Sequence, residues 1–446
     1  MNLANLNDPC ANTRLAAIRE LGESVKAGVK QTHEVNNHVH TIYSFSPYSP
    51  CMAVVKAAQA GLQTVGIMDH DSVSGCEEML DACKAVNMAS TAGCEIRVNM
   101  DGTRVEGRKT NNPDEPNVSY IAFHGIPRTQ LQAVKTFLRP IQAARIARDR
   151  KEVQRLNDSL ARLGAPPLDF NTDVLAISEA ANGGSITERH MLYALSLKLI
   201  AAYGKGQRLI DFVEQQMTIA LPEKIKALLL DMNNPHYAYD LLGVFKSALV
   251  PDFFILSGKE ECINVRDAVS FANDIGAIPA YAYLGDVGES PTGDKKAEKF
   301  EDDYLDELVP ELTRIGFKAI TYMPPRNTKP QLLRLQKLCQ AHGLMEISGV
   351  DINSSRQAFN CPILLEPEFR HLVDAAWALI AHEKLAAAVP RLGIFHPDNP
   401  LLAPFRGTSG GPSMFHRIAI YSTLGKRMDH TQPEKAIALV DGSTRQ

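Results

Sequence analysis

No two cysteines in this chain stand in a C-x-x-C arrangement, and none belongs to a compact disulfide framework. The eight present, at positions 10, 51, 76, 83, 94, 262, 339 and 361, are scattered over 446 residues. That scatter predicts reduced thiols and a cytoplasmic protein. The first residues, Met1 to Arg14, lack the basic-then-apolar pattern of a secretory signal. A membrane span needs about 20 apolar residues. The longest apolar stretch with a helical pattern, Leu372 to Ala381, is far shorter and contains Asp374, so no membrane contact is expected. Charge of one sign is lacking too: the net charge is −4. There is no global basic field, and nucleic-acid contact would need a local patch. No internal repeat or low-complexity tract is found. A composition that is 45% hydrophobic and 22% charged excludes a disordered chain, a collagen and a coiled-coil rod. The length allows about three domains of ~150 residues, or one large barrel with an insertion.

What is present is an alternation of short β-like runs and helical stretches, interrupted once. Residues 7–28 carry Leu15, Ile18, Leu21 and Val25 at helical spacing and predict a leading helix. Strands are expected at Glu34–His40, Thr64–Asp69, Thr91–Val98 and Tyr120–Ile126, with helices at Pro50–Ala60 and Gly75–Val86. From about 128 to 250 strand signal is almost absent. Helices are expected there at Thr129–Leu163, Thr187–Ala202, Gly206–Gln216, Pro222–Met232 and Tyr237–Lys246. Alternation then resumes. Strands are expected at Ile278–Tyr283, Phe317–Met323 and Leu344–Asn353, and helices at Val265–Ile275, Tyr304–Ile315, Pro330–His342 and Glu366–Ala387. This order predicts an α/β fold: one barrel interrupted by an all-helical insertion. The expected divisions are 1–29 (N-terminal helix), 30–127 (first barrel part), 128–250 (helical insertion), 251–390 (second barrel part) and 391–446 (C-terminal extension).

Sites in such barrels gather at strand C-termini, and the chemical residues fall there. His38 and His40 close the first strand, and positions i and i+2 of a strand point to one side. The second expected strand ends in Asp69, His70 and Asp71; the third carries Glu95, the fourth His124, and a late one Asp351 and Asn353. Neutral imidazoles with two or more carboxylates suit Zn, Mn or Fe better than Ca or Mg.

These segments resemble the motifs of the PHP (polymerase and histidinol phosphatase) superfamily of metal-dependent phosphoesterases. The run His38-Val39-His40-Thr41-Ile42-Tyr43-Ser44 is similar to its first motif, Thr64 to Asp71 to its second, and Gly93-Cys94-Glu95 to its third. Phe123-His124 resembles the histidine between motifs, and Gly349-Val350-Asp351-Ile352-Asn353 resembles the last, usually Asp-x-His. Thr187-Glu188-Arg189-His190 fills the place of an Arg-x-His helix start in the branch with a helical insertion, that of nucleoside-phosphate phosphoesterases and RNA 5′-end exonucleases. The resemblance implies a distorted (β/α)7 TIM-like barrel with up to three metal ions at the strand ends. It implies one ion on His38, His40, Glu95 and Asp351. A second would use Glu95 as a bridge with His124 and His190, and a third would rest on His70 and Asn353. The chain departs from the pattern at Phe45 and Ser46, where an acidic or His residue is usual, at Tyr283 in place of a histidine, and at Asn353.

The activity so implied is hydrolysis of a phosphoester in a small phosphorylated metabolite or a nucleotide end by metal-activated water, with Asp69, Glu95 and His70 as catalytic groups. A short nucleic-acid end is a further candidate partner. Arginine suits phosphate through its planar fork. Arg97 stands two residues past Glu95, and Arg128 and Arg189 flank the insertion. Arg145, Arg148, Arg155 and Arg162 fall roughly on one face of a helix; they read either as a track for a nucleic-acid backbone or as a solvated face with Glu152 interleaved. The Gly-rich run from Arg406 to Ser413 precedes a helix and could cradle an anion. Two other readings compete. One is a catalytically degraded barrel that binds a metal or ligand. The other is an amidohydrolase-type C–N hydrolase, disfavoured because no lysine stands at a matching strand end.

Overall fold

The computed structural model describes residues 3–112, 114–286, 300–406 and 411–443. Residues 407–410 of the Gly-rich run lie outside that set. The strands are β1 (Val35–Val39), β2 (Thr64–Ile67), β3 (Asp69–His70), β4 (Ala89–Thr91), β5 (Cys94–Asn99), β6 (Val118–His124), β7 (Ile263–Asn264), β8 (Ile278–Tyr283), β9 (Ala319–Tyr322) and β10 (Met345–Ser348). One sheet is β1-β2-β4, all parallel; the other runs β10-β9-β8-β6-β5-β3, with β7 beside β5. Among the described strands only β6 is antiparallel to its neighbours, β5 and β8. The fold is therefore mixed α/β with mainly parallel strands.

Two expected strands are each divided in the structure. Thr64–Asp69 becomes β2 and β3 around Met68, and Thr91–Val98 becomes the end of β4 and β5 around Ala92 and Gly93. The reason is a change of partners, because the chain passes from the first sheet to the second at both breaks. At the first break Met68 N–H donates to Val39 O at 3.0 Å. The two-residue β7 was not expected; it is too short to show any periodicity. The expected strand at Leu344–Asn353 ends at Ser348, and the remainder meets β1 at the single bridge Val39–Ile352.

That meeting explains the unusual polarity of β1, whose sequence is VNNHV. The Asn36 side chain donates to Val350 O and accepts from Val350 N–H, both at 3.0 Å. Asn37 donates to Ser348 O at 3.0 Å. Two buried side-chain amides thus do the work of a backbone ladder. Past them, His40 N–H donates to Ile352 O and Ile352 N–H to His38 O. The end of β1 and residues 349–353 are held side by side. Gly349 makes this approach feasible: a Cβ there would lie 2.5 Å from His38 Cβ and 2.7 Å from His38 N.

Between residues 128 and 253 the described chain is helical and strand-free, with the longest helix at Leu131–Arg162 and others at Glu188–Tyr203 and Tyr237–Phe253. The expected helix at Gly206–Gln216 is a five-residue α-helix, Gln207–Asp211, followed by a π turn at Phe212–Gln216. This block has its own core, in which Leu156, Leu195 and Phe245 are fully buried. Phe45, on the loop after β1, joins that core. Its ring lies 5.0 Å from His190 and 5.9 Å from both Tyr193 and Tyr239. The leading helix, Ala11–Leu21, is pinned by the buried Arg14–Glu78 ion pair at 2.6 Å. The apolar stretch near Leu372 belongs to helix His371–Ala388, buried on nearly all sides under helix Met414–Arg427. Among the described residues no helix is long and apolar enough to cross a membrane.

Phe45→Ala removes a buried ring from the contact between the helical block and the loop after β1. It is expected to cost about 3 kcal/mol of stability, read as a lowered midpoint in chemical denaturation. A loss below about 1 kcal/mol would mean that the ring does not hold the two parts together.

Candidate metal centre

The end of β1, β3, the start of β5 and residues 351–353 converge. Ligand atoms of His38, His40 and Asp351 lie within 4.8 Å of one another, as do those of His40, His70 and Glu95. His40 belongs to both groups. Its ring centroid is 5.1 Å from that of His38 and 4.5 Å from that of His70. His40 Nε2 lies 3.2 Å from Asp351 Oδ1, and His70 Nδ1 lies 3.1 Å from Glu95 Oε2. His38 Nε2 is 4.0 Å from the same Glu95 oxygen.

The hydrogen bonds around His40 decide what this arrangement asks for. Asp69 accepts from Thr41 N–H, Thr41 Oγ1 and Ser44 Oγ, each at 2.6 Å. The Ser44 proton is spent on Asp69, so Ser44 Oγ can only accept from His40 Nδ1, 3.2 Å away. The His40 proton therefore sits on Nδ1, and Nε2 turns a lone pair toward an oxygen of Asp351. Nε2 is buried and makes no well-aligned hydrogen bond. Two facing lone pairs require a cation between them, either a proton or a metal ion. An imidazole, imidazole and carboxylate set suits a divalent transition metal, so the residues fit the group that the sequence pattern implies.

The electrostatics agree. Burial disfavours a charged Asp351, but His40, with help from His38 and Arg189, outweighs it and holds the carboxyl well below its usual range. Burial works against protonation of His40, yet Asp351 raises its pKa overall. Burial lowers His38. Burial, then His40 and Arg145, push His70 down to about 3, leaving it neutral as a metal ligand must be.

Several expected ligands are engaged elsewhere. Asn353 donates through Nδ2 to Asp351 Oδ1 at 2.7 Å and accepts at Oδ1 from Arg189 at 3.1 Å. Both polar atoms of its amide are committed, which corrects its reading as a ligand. His190 accepts at Nδ1 from Thr187 N–H at 3.0 Å, closing the cap of its own helix; it belongs to neither group. His124 is buried with Nε2 unpartnered, and burial and then His38 lower its pKa to about 3. It too lies outside both groups. Asp69, with three donors on it, orients the His40 loop through Ser44 and Thr41. Tyr283 is bonded to Asp302 at 2.5 Å.

The expected phosphate-binding arginines divide. Arg97 is buried and ion-paired to Glu261, and its Nη1 donates to Ser257 Oγ at 3.1 Å. Arg128 pairs with Asp81 at 2.7 Å and lines a separate cavity of about 470 Å³ with Lys84, Glu383 and His430. Neither reaches the cluster; Arg189 does, through Asn353. The supposed nucleic-acid stripe is not one face. Arg145 pairs with Asp71, and Arg148 with Glu152 and Glu261, all in the interior. Helical spacing showed their periodicity but not the carboxylates that cover them. The pairing with Arg145 also explains Asp71, whose φ of +48° is left-handed just after His70.

Reading the sequence missed Thr41, Ser44 and Gly349. Thr41 and Ser44 stand inside the first motif, and their hydroxyls at one and four residues past His40 were the available signal. Only the backbone approach to His38 shows why Gly349 matters.

The PHP domain family matches residues 36–244, a span that includes His38, His40, Asp69, His70 and Glu95 and ends before Asp351. Among solved structures, a candidate metal-dependent phosphoesterase from Bifidobacterium adolescentis is 18% identical, with a TM-score of 0.49 over 74% of this chain and 92% of that one. An amidohydrolase from Chromobacterium violaceum, solved with bound sulfate and no metal, is 15% identical, with a TM-score of 0.46 over 77% of this chain and 96% of that one. No curated protein matches the chain. The domain match supports a place in the PHP superfamily, and the two side-chain groups support a divalent-metal site.

Arg97→Met would remove the guanidinium from a buried network, leaving Glu261 to Arg148 and Glu115 to Ser257. It is expected to cost about 3 kcal/mol, measured by chemical denaturation. Unchanged stability with only weakened phosphate binding would return Arg97 to the substrate.

Proposed function

We propose that this chain is a PHP-superfamily hydrolase that cleaves phosphoesters of a small phosphorylated metabolite or a nucleotide end. The reading rests on one observation above the rest: the His40 Nε2 lone pair facing Asp351 Oδ1 at 3.2 Å. His38, His40 and Asp351 would hold one divalent ion; the single Nε2 lone pair of His40 serves one ion only, so a second beside it would rest on His70 and Glu95, with Zn, Mn or Fe suited to these donors. With the Asn353 amide committed, no third ion is expected there. A bound ion supplies Lewis acidity, lowering the pKa of water and neutralising phosphoryl oxygens. The chain's own part is to bind and orient: Asp69 and Ser44 fix the His40 tautomer, Glu95 lies between the His38 and His70 sides, and burial favours the neutral form of His38 and His70.

The architecture is read in the same way. The bridge from Val39 to Ile352 favours one distorted (β/α)7 barrel drawn as two sheets, with residues 128–250 as an insertion and 391–446 as an extension. A degraded binding module is the second reading. It is favoured by Phe45, Tyr283 and Asn353, which each serve packing or hydrogen bonding where the family pattern has other residues.

The test is a panel of phosphomonoesters, phosphodiesters, nucleoside bisphosphates and short RNAs with Mn, Zn, Fe and Mg. His38→Ala and Asp351→Ala are expected to abolish any hydrolysis the wild type shows. Full activity in either variant rejects the site. Uptake of less than about one ion per chain after reloading favours the binding module.

Proton linkage gives a separate check. His40 has a folded pKa above its ordinary 6.5 because of Asp351. In the metal-free protein that pair stabilises the fold fully below pH 6.5 and less as pH rises through the folded value. Metal must displace this proton. Affinity should therefore rise with pH across the same window above 6.5, with proton release seen by calorimetry in buffers of different ionisation enthalpy. Affinity that is flat in pH, without proton release, would contradict the pairing.

A further inference from the structure

The ligand carboxylate Asp351 is not left to orient itself. A chain of hydrogen bonds runs to it from the helical block: Arg189 Nη1 to Asn353 Oδ1 at 3.1 Å, then Asn353 Nδ2 to Asp351 Oδ1 at 2.7 Å. The direction of the amide is forced, since a flipped Asn353 would set its NH₂ against the guanidinium, donor to donor. Asn353 is itself nearly buried, and its backbone N–H donates to Gln357 Oε1 at 2.7 Å.

The other end of the chain is equally fixed. Arg189 is in the first turn of helix Glu188–Tyr203, whose start is closed by the reciprocal Thr187–His190 cap. The His190 ring packs edge-on against Phe45 at 5.0 Å. Phe45 follows Ser44, which accepts from His40. A closed circuit results. It leaves the metal-binding strand end at His40, crosses into the helical block through Phe45 and His190, and returns through Arg189 and Asn353 to Asp351.

We infer that Arg189 is a positioning residue for metal binding, acting through Asn353 to hold Asp351 in the orientation that faces His38 and His40. The inference rests on the metal-dependent reading above and deepens it, because it makes the helical block part of the metal-binding apparatus. It also reassigns two residues. Arg189 is spent on the site's own carboxylate before any phosphate arrives, and Asn353 relays that contact instead of ligating. Groups that orient metal ligands in this way typically change affinity about 10–100-fold when removed.

The experiment is calorimetric titration of the full-length, metal-free chain with Mn²⁺, for wild type, Arg189→Met, Asn353→Ala, the double variant and Arg189→Lys, with thermal unfolding of each. Arg189→Met and Asn353→Ala are each expected to weaken the first equivalent about 10–100-fold. The double variant should be no weaker than the worse single, because both break one chain. Arg189→Lys, which keeps a donor and the charge, should recover part of the loss. Unfolding midpoints of the metal-free proteins should change little. If Arg189→Met proves poorly folded, Asn353→Ala decides, since it cuts the relay and leaves the arginine in place. A wild type that takes up Mn²⁺ and an Asn353→Ala variant that binds it equally well overturn this inference alone. Losses that add in the double variant also overturn it. A wild type that takes up no ion overturns both this inference and the functional reading.

Discussion

Everything at the candidate site depends on the end of β1 and residues 349–353 lying side by side. The two segments are joined by little conventional ladder. Asn36 and Asn37 reach across with their side-chain amides, and Gly349 leaves no Cβ to collide with His38, where one would lie 2.7 Å from His38 N. Polar residues in a buried strand are costly unless paired, and here Asn36 is paired through both ends of its amide and Asn37 through Nδ2. Here the pairing itself places His38 and His40 opposite Asp351. The same contact that links the first strand to the last therefore assembles the ligand set, and a metal-binding geometry follows from how the sheets meet.

The helical block is tied to that geometry at points that share a logic. Phe45 enters its core from the loop after His40. Arg145 reaches out of it to Asp71, next to His70, and Arg189 reaches to Asn353, next to Asp351. Arg145, Arg97 and Arg148 are buried and are held by carboxylates on more than one element. Glu261 pairs with Arg97 and Arg148 and lies near Arg145, and these arginines keep its pKa down although burial works against it. Breaking one such pair leaves a stranded charge, which makes the network rigid. Phe45, Tyr283 and Asn353 each have a specific partner in the fold: the helical core, Asp302, and Arg189 with Asp351.

Much of this was legible in the chain. The alternation of strand and helix, the strand-free stretch after residue 128 and the gathering of His, Asp and Glu residues at strand ends follow from periodicity and position, while the grouping of His38 and His40 with Asp351 came from the motif resemblance. What was not legible has physical causes. A strand that changes sheets, as at Met68 and at Ala92–Gly93, keeps its apolar pattern while its partners change. An arginine stripe looks the same whether it meets solvent or buried carboxylates, so Arg145 and Arg148 were open to a nucleic-acid reading. A residue at a ligand position can be consumed by another partner: Asn353 by Arg189, which only the fold brings near, and His190 by the cap of its own helix. The roles of Thr41 and Ser44 depended on hydroxyl directions, which no spacing rule encodes.

The most direct measurement is anomalous diffraction at the metal edge from crystals of the full chain loaded with Mn²⁺ or Zn²⁺. The account predicts a peak about 2.0–2.3 Å from nitrogens of His38 and His40 and an oxygen of Asp351, with His40 Nδ1 still on Ser44. A peak coordinated by other residues, or a loaded crystal in which His40 Nε2 still faces Asp351 with no density between them, would contradict it.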